Sequence, residues 1–290
     1  MSTKKLDKMA KDGDIPTTGH TWDGIQEYDN PMPRWWLNVF YICIIWGAIF
    51  TVLYPSWPGV NKAWPGLLGF STRGEVAEEI NRFKVANADI DAQLAATALT
   101  EIGNDPGLNQ YAVNSGAAVY RTWCAQCHGS GAAGAVGFPN LLDDDWLWGG
   151  DIENIHFTIS HGIRNEDDYD ARYSEMPKFG EILEGEEIAA VANYVQSLST
   201  EPNDASLVAT GATVFDEQCT SCHEVGGVGN RDLGAPNLSD AIWLYGGDYD
   251  SLVETITYSR FGVMPHWQDR LTESQIRAVA VYVHGLGGGE

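Results

Sequence analysis

The stretch TWCAQCHGS at 122–130 is echoed by EQCTSCHEV at 217–225. Each carries a Cys-X-X-Cys-His motif, formed by Cys124, Cys127 and His128 in the first and by Cys219, Cys222 and His223 in the second. Two cysteines three apart on a helical turn can each form a thioether to one haem vinyl group, and the adjacent histidine is then held beneath the iron as an axial ligand. Two covalently bound haem c groups are therefore the expected cofactors. Structural zinc would need four closed ligands per site, and a redox dithiol would sit in a βαβ setting. The sequence offers neither pattern.

Outward from the motifs the chain repeats itself. After the first motif come FPNL at 138–141, Trp146, Gly149-Gly150, Met176-Pro177 and NYV at 193–195. After the second come APNL at 235–238, Trp243, Gly246-Gly247, Met264-Pro265 and VYV at 281–283, in the same order. This is the signature of a duplicated fold with small loop insertions and deletions. Each copy opens and closes with a helical pattern. Gly116 and Tyr120 share one helix face, as do Gly211 and Phe215, while EEIAAVANYVQSL and ESQIRAVAVYVHGL are the closing helices. With little strand-like alternation, the expected fold is all-α. Residues 201–205 (EPNDA) mark the expected boundary between domains at 110–200 and 201–290.

Methionine supply points to the second axial ligands. Of the five methionines, Met1, Met9 and Met32 precede the apolar segment described below, which leaves Met176 and Met264, each followed by proline. One methionine per motif pairs Met176 with His128 and Met264 with His223. A thioether opposite imidazole favours ferrous iron and suits electron transfer. His161 is a rival for the first iron; its counterpart in the second copy is Tyr258. Pro139 and Pro236 stand where a backbone carbonyl would accept the imidazole N–H and orient the ring.

From Trp35 to Tyr54 the sequence WWLNVFYICIIWGAIFTVLY carries no charge over twenty residues, the length of one bilayer span. Aromatic residues stand at both ends, and Pro55 and Pro58 follow. Lys4, Lys5, Lys8, Lys11 and Arg34 precede the span and only Lys62 and Arg73 closely follow it, so residues 1–34 are expected in the cytoplasm. Residues 55–109 form the expected linker on the far side, with one or two helices. Cys43, the fifth cysteine, lies within the span. The chain has 17 Lys and Arg against 40 Asp and Glu, a formal charge of −23, which excludes nucleic-acid binding through phosphate contacts. Residues 35–290 hold 12 basic and 34 acidic groups. That field would steer a basic protein donor.

Residues 110–286 resemble class I cytochromes c through CxxCH, PNL, Met-Pro and the paired terminal helices. The segment TTGHTWDGIQEYDNPMPRWW at 17–36, followed by a span, a linker and two such domains, resembles the membrane-anchored dihaem cytochrome c subunit of cbb3-type cytochrome c oxidases. The resemblance implies a bacterial inner-membrane, single-pass subunit with its haem domains in the periplasm. It implies electron transfer from a donor cytochrome c towards a monohaem subunit and a catalytic haem–copper subunit, where oxygen is reduced and protons are pumped, with no active site on this chain. The alternative is a free membrane-tethered dihaem carrier serving another respiratory complex.

Overall fold

The computed structural model describes residues 16–290; Met1, Met9 and the lysines at 4, 5, 8 and 11 lie outside the described residues. Two units, divided between Val85 and Ala86, are taken in turn.

The described part of the first unit opens with a hairpin. Strands β1 (Thr17–Trp22) and β2 (Ile25–Tyr28) pair antiparallel around Asp23-Gly24. Both turn residues have positive φ, at 48° and 86°, which the tight hairpin turn demands and Asp-Gly tolerates. Among the described residues this hairpin is the one two-stranded sheet in an otherwise helical chain, and Asp23-Gly24 is its local signal. Helix α1 (Arg34–Leu53) follows, with no buried residue, long and apolar enough to cross a membrane. Its last carbonyls do not hang free: the Leu67 amide donates to Val52 O at 3.0 Å and the Leu68 amide to Leu53 O at 3.1 Å. Tyr54 packs between Phe50 and Phe70, with ring centroids 4.6 and 5.4 Å away. Helix α2 (Thr72–Ala86) lies wholly on the surface.

The second unit is helical. Helix α3 (Ala88–Ala96) leads through a 3-10 turn, Leu99–Asn104, into α4 (Pro106–Val119). Asp105 caps α4, its carboxylate accepting from the amides of Gly107 and Leu108, and Pro106 occupies the first helical position, where its missing N–H is no loss. After α5 (Ala125–His128) come α6 (Ile152–His161), α7 (Gly185–Ser197), α8 (Val208–Gln218), α9 (Thr220–His223), α10 (Tyr249–Tyr258) and α11 (Glu273–His284). Leu94, Ile102, Leu108, Ala112, Ala278 and Val281 form one cluster, so α3 packs on the helical unit as a component of it.

The helices do not pack as two consecutive copies. Helix α4 of the first copy crosses α11 of the second at Gly116, where a Cβ would collide with the Ala278 carbonyl and lie 2.8 Å from Tyr282 Cβ. Helix α8 of the second copy crosses α7 of the first at Gly211, against Ala190 and Tyr194 in the same way. Two lobes result. Lobe A joins Val119, Tyr120, Ile155 and Ile159 to Ile276, Val279 and Val283; lobe B joins Ile188, Val191 and Val195 to Val214, Phe215, Leu252 and Ile256. The stretch at 201–205, the expected boundary between the sequence copies, lies in the connection of the α7–α8 hairpin. Buried Asn193 accepts from the Asp204 amide at 2.6 Å, and Gln196 accepts from the Asn203 amide at 2.8 Å. Helices joined so briefly become neighbours.

The chain passes from lobe A to lobe B after α6 and returns after α10. At the crossing Ile163 exchanges two backbone bonds with Met264, both 3.0 Å, and Gly162, at φ +75°, leaves room for the Met264 carbonyl. Arg164 donates to Ser174 O at 2.6 Å and to Gly262 O at 2.9 Å, while the Asp168 carboxylate accepts from His161 Nδ1 at 3.1 Å and Gln268 Nε2 at 2.7 Å.

Candidate haem-binding sites

In lobe A, α4 runs into one π turn, Tyr120–Cys124, before α5. Such single wide turns recur at functional sites, because they re-aim the side chains that follow. Here the Tyr120 hydroxyl is tied to Gly129 O at 2.8 Å, and Cys124 packs against the lobe A core. Cys127 is exposed. In lobe B the motif follows α8 with ordinary α geometry, the Cys219 amide bonding Phe215 O at 2.9 Å; Cys219 packs against the core and Cys222 is exposed. All four thiols are unpaired.

The two histidines are held alike. His128 Nδ1 lies 3.1 Å from Pro139 O, and His223 Nδ1 lies 3.1 Å from Pro236 O. With Nδ1–H donating to that carbonyl, Nε2 keeps its lone pair for a metal. Burial lowers both histidine pKa values, partly offset by the carbonyl bond, so the ring stays neutral, which is the ligating form. Loop bonds repeat as well: the Gly134 amide donates to His128 O at 2.9 Å and the Gly229 amide to His223 O at 3.0 Å. Burial, then the neighbouring cysteine, pushes the Cys124 and Cys219 thiols up to about 11. A thiol–disulfide catalyst needs the opposite shift.

The methionines lie crosswise to the expected pairing of Met176 with His128 and Met264 with His223. Met264 packs against the lobe A core together with Cys124, and Met176 packs against the lobe B core together with Cys219. Each motif thus shares its core with the methionine of the other sequence copy. The cause is the crossover, which carries the chain out of lobe A before Met176 and back before Met264. His161 is engaged elsewhere, bonded to Asp168 and packed on Phe157 at 4.5 Å. Trp123 of the first motif meets Trp267 of the second copy, with centroids 5.7 Å apart. Trp146 and Trp243 border the lobe A and lobe B cores respectively.

The basic residues divide into two kinds. Arg260 pairs with Glu254 at 2.9 Å, and Arg270 lies over Trp267. Arg172 bonds Asn154, stacks on Trp148 and Phe157, and keeps its Nε buried without a hydrogen-bond acceptor. The donor set fits haem c: two thiols, a neutral imidazole with one nitrogen spare and a thioether in the same core.

Two Cys-X-X-Cys-His loops, each on a small helical lobe with a methionine, define a c-type cytochrome carrying an N-terminal apolar helix. Comparison with known proteins narrows the class. Residues 15–61 match the family described as the N-terminal domain of cytochrome oxidase-cbb3, FixP, and residues 112–195 and 206–283 match cytochrome c oxidase, cbb3-type, subunit III. The chain is 61% identical to the cbb3-type cytochrome c oxidase subunit CcoP of Cereibacter sphaeroides, over 97% of each chain. It is 49% identical to the subunit FixP of Sinorhizobium medicae, over 95% of this chain and 96% of the relative. To the FixP subunit of Bradyrhizobium diazoefficiens it is 48% identical, over 94% and 95%. The chain belongs to the cbb3-type cytochrome c oxidase subunit III family, whose matches fall on the sequence copies while the packing lobes draw half from each.

Proposed function

We propose that the chain binds two haems c and relays electrons within a cbb3-type oxidase, from a donor cytochrome c towards the monohaem and catalytic haem–copper subunits. Cys124 and Cys127 would hold one haem, with His128 and Met264 as axial ligands. Cys219 and Cys222 would hold the other, with His223 and Met176. Iron porphyrin, when bound, supplies reversible one-electron chemistry. The residues would fix its surroundings: the proline carbonyls orient each imidazole, a methionine in the same core would supply the second ligand, and the apolar cores would exclude water. Two protein ligands per iron would leave no open position for oxygen or another substrate on this chain.

The observation that carries this reading is the equivalence of the two sites, with matching imidazole–proline bonds of 3.1 Å and one methionine in each core. Helix α1 would anchor the chain in the inner membrane, N-terminus inside, with both lobes in the periplasm. The acidity of residues 35–290 suits a basic donor. Purification from membranes tests the assignment: covalent mass for two haems and a co-isolated haem–copper subunit support it. Isolation as a lone dihaem carrier would favour the free-carrier alternative. A donor oxidation rate independent of ionic strength would remove electrostatic steering from the account.

A further inference from the structure

The lobes meet through a reciprocal arrangement that haem ligation leaves unexplained. Trp148 is only 8% exposed, yet it belongs to none of the three apolar clusters. It abuts Gly234 so closely that a Cβ there would collide with Trp148 Cε2 and Cζ2. The equivalent residue of the second copy, Tyr245, faces Gly137, where a Cβ would lie 3.2 Å from Tyr245 Cε1. The Gly137 amide also donates to Leu244 O at 2.8 Å. Gly137 stands two residues before Pro139 and Gly234 two before Pro236, the residues whose carbonyls hold the imidazoles. Each aromatic also carries a guanidinium over its ring: Arg172 lies 5.2 Å from the Trp148 ring and Arg260 lies 5.0 Å from that of Tyr245.

We propose that Trp148 and Tyr245 are reciprocal positioning residues, each backing the loop that orients the axial histidine of the opposite lobe. Trp148, from lobe A, holds the loop that carries Pro236 against His223. Tyr245, from lobe B, holds the loop that carries Pro139 against His128. The strength of an N–H···O=C bond to a ligating imidazole sets how much electron density the ring gives its metal, and so tunes the redox potential. A flat ring pressed on a glycine fixes that carbonyl in place. Smaller or flexible side chains would leave the loop free to relax away from the imidazole. The redox poise of each centre therefore depends on packing supplied by the other lobe. This inference rests on the haem assignment above.

Redox titration of the full-length, detergent-solubilised protein tests it. In a Cys124→Ala background the first-motif haem keeps one vinyl group and absorbs at longer wavelength, so the two midpoints are followed separately. Trp148→Leu is expected to shift the midpoint of the second-motif haem and to speed exchange of the His223 Nδ1 proton, leaving the first unchanged. Tyr245→Leu is expected to do the reverse. Trp148→Phe, smaller but still flat, gives a lesser shift in the same direction and serves where Trp148→Leu does not accumulate. A Trp148 variant that moves the first-motif haem, both haems equally, or neither overturns the proposal. Mass analysis of the parent protein separates the two failures: fewer than two attached haems defeats the haem assignment and this inference with it, whereas two haems with the wrong midpoint moving defeats only the positioning role.

Discussion

Gly116→Ala isolates the interleaved packing of the lobes. A methyl group at this position would meet the Ala278 carbonyl and Tyr282 Cβ, both on α11. To accept it the α4–α11 crossing must open by roughly 1 Å, enough to forfeit a quarter or more of the dispersion wells along the seam. Overpacking of this kind costs about 1–3 kcal/mol, and a rigid backbone carbonyl as the obstacle argues for the upper end of that range. The better helix propensity of alanine returns about 1 kcal/mol. A net loss of about 1–2 kcal/mol corresponds to a fall in Tm of roughly 2–8 °C for a unit of this size. Gly185→Ala is the control: its Cβ would meet nothing within 4 Å, and Tm should hold or rise slightly. The assay is thermal or urea unfolding of the holoprotein, extended to a double-mutant cycle. Gly116→Ala should couple to Tyr282→Ala by at least about 0.5 kcal/mol, as touching residues do, and not to Tyr194→Ala. Coupling to Tyr194 instead, or a Gly116→Ala Tm equal to that of Gly185→Ala, would refute the interleaved arrangement.

Other outcomes follow from the same structure. Burial, reinforced by Asp240, Asp143 and Asp144 against an opposing Arg231, pushes the Asp145 carboxyl up to about 6 from 3.8. The folded state thus keeps a proton that the unfolded state has released. The associated stability is full below about 3.8 and lost as pH rises through about 6, and Asp145→Asn should abolish that component of the urea-midpoint profile. Identical pH profiles for parent and variant would contradict it. Asp168→Ala leaves His161 and Gln268 without their shared acceptor at the crossover and should destabilise by about 2 kcal/mol, with faster proteolysis at 164–171. Unchanged proteolysis there would show that other bonds pin the crossover.

Much of this architecture is written in local sequence. Both motifs, the duplicated order of Pro-Asn-Leu, Trp and Met-Pro, the apolar run of α1 and the helical closing segments are short-range patterns whose physics is complete within a few turns. The hairpin at 17–28 was equally local, and Asp23-Gly24 was its signal. The pairing of the lobes is different. Gly116 fits beside Tyr282 as Gly211 fits beside Tyr194, and duplicated helices present nearly interchangeable faces, so helix pattern alone does not choose a partner. Connections make the choice. The tight α7–α8 turn, pinned by Asn193 and Gln196, keeps those helices together, and the Ile163–Met264 bridge brings the second methionine back to lobe A. Both hinge on contacts between residues far apart in sequence or on loop geometry, which periodicity does not encode. For the same reason the Trp148–Gly234 and Tyr245–Gly137 contacts had no signature beyond their equivalent places in the repeat.

The most direct measurement is the ferric spectrum of the Met264→Ala protein in the Cys124→Ala background, where the first-motif haem is marked by its longer-wavelength absorption. Lobe A packing predicts that the marked haem loses its methionine–iron charge-transfer band and turns high-spin while the other stays low-spin. Loss of the methionine band from the unmarked haem, with the marked one intact, would contradict the account.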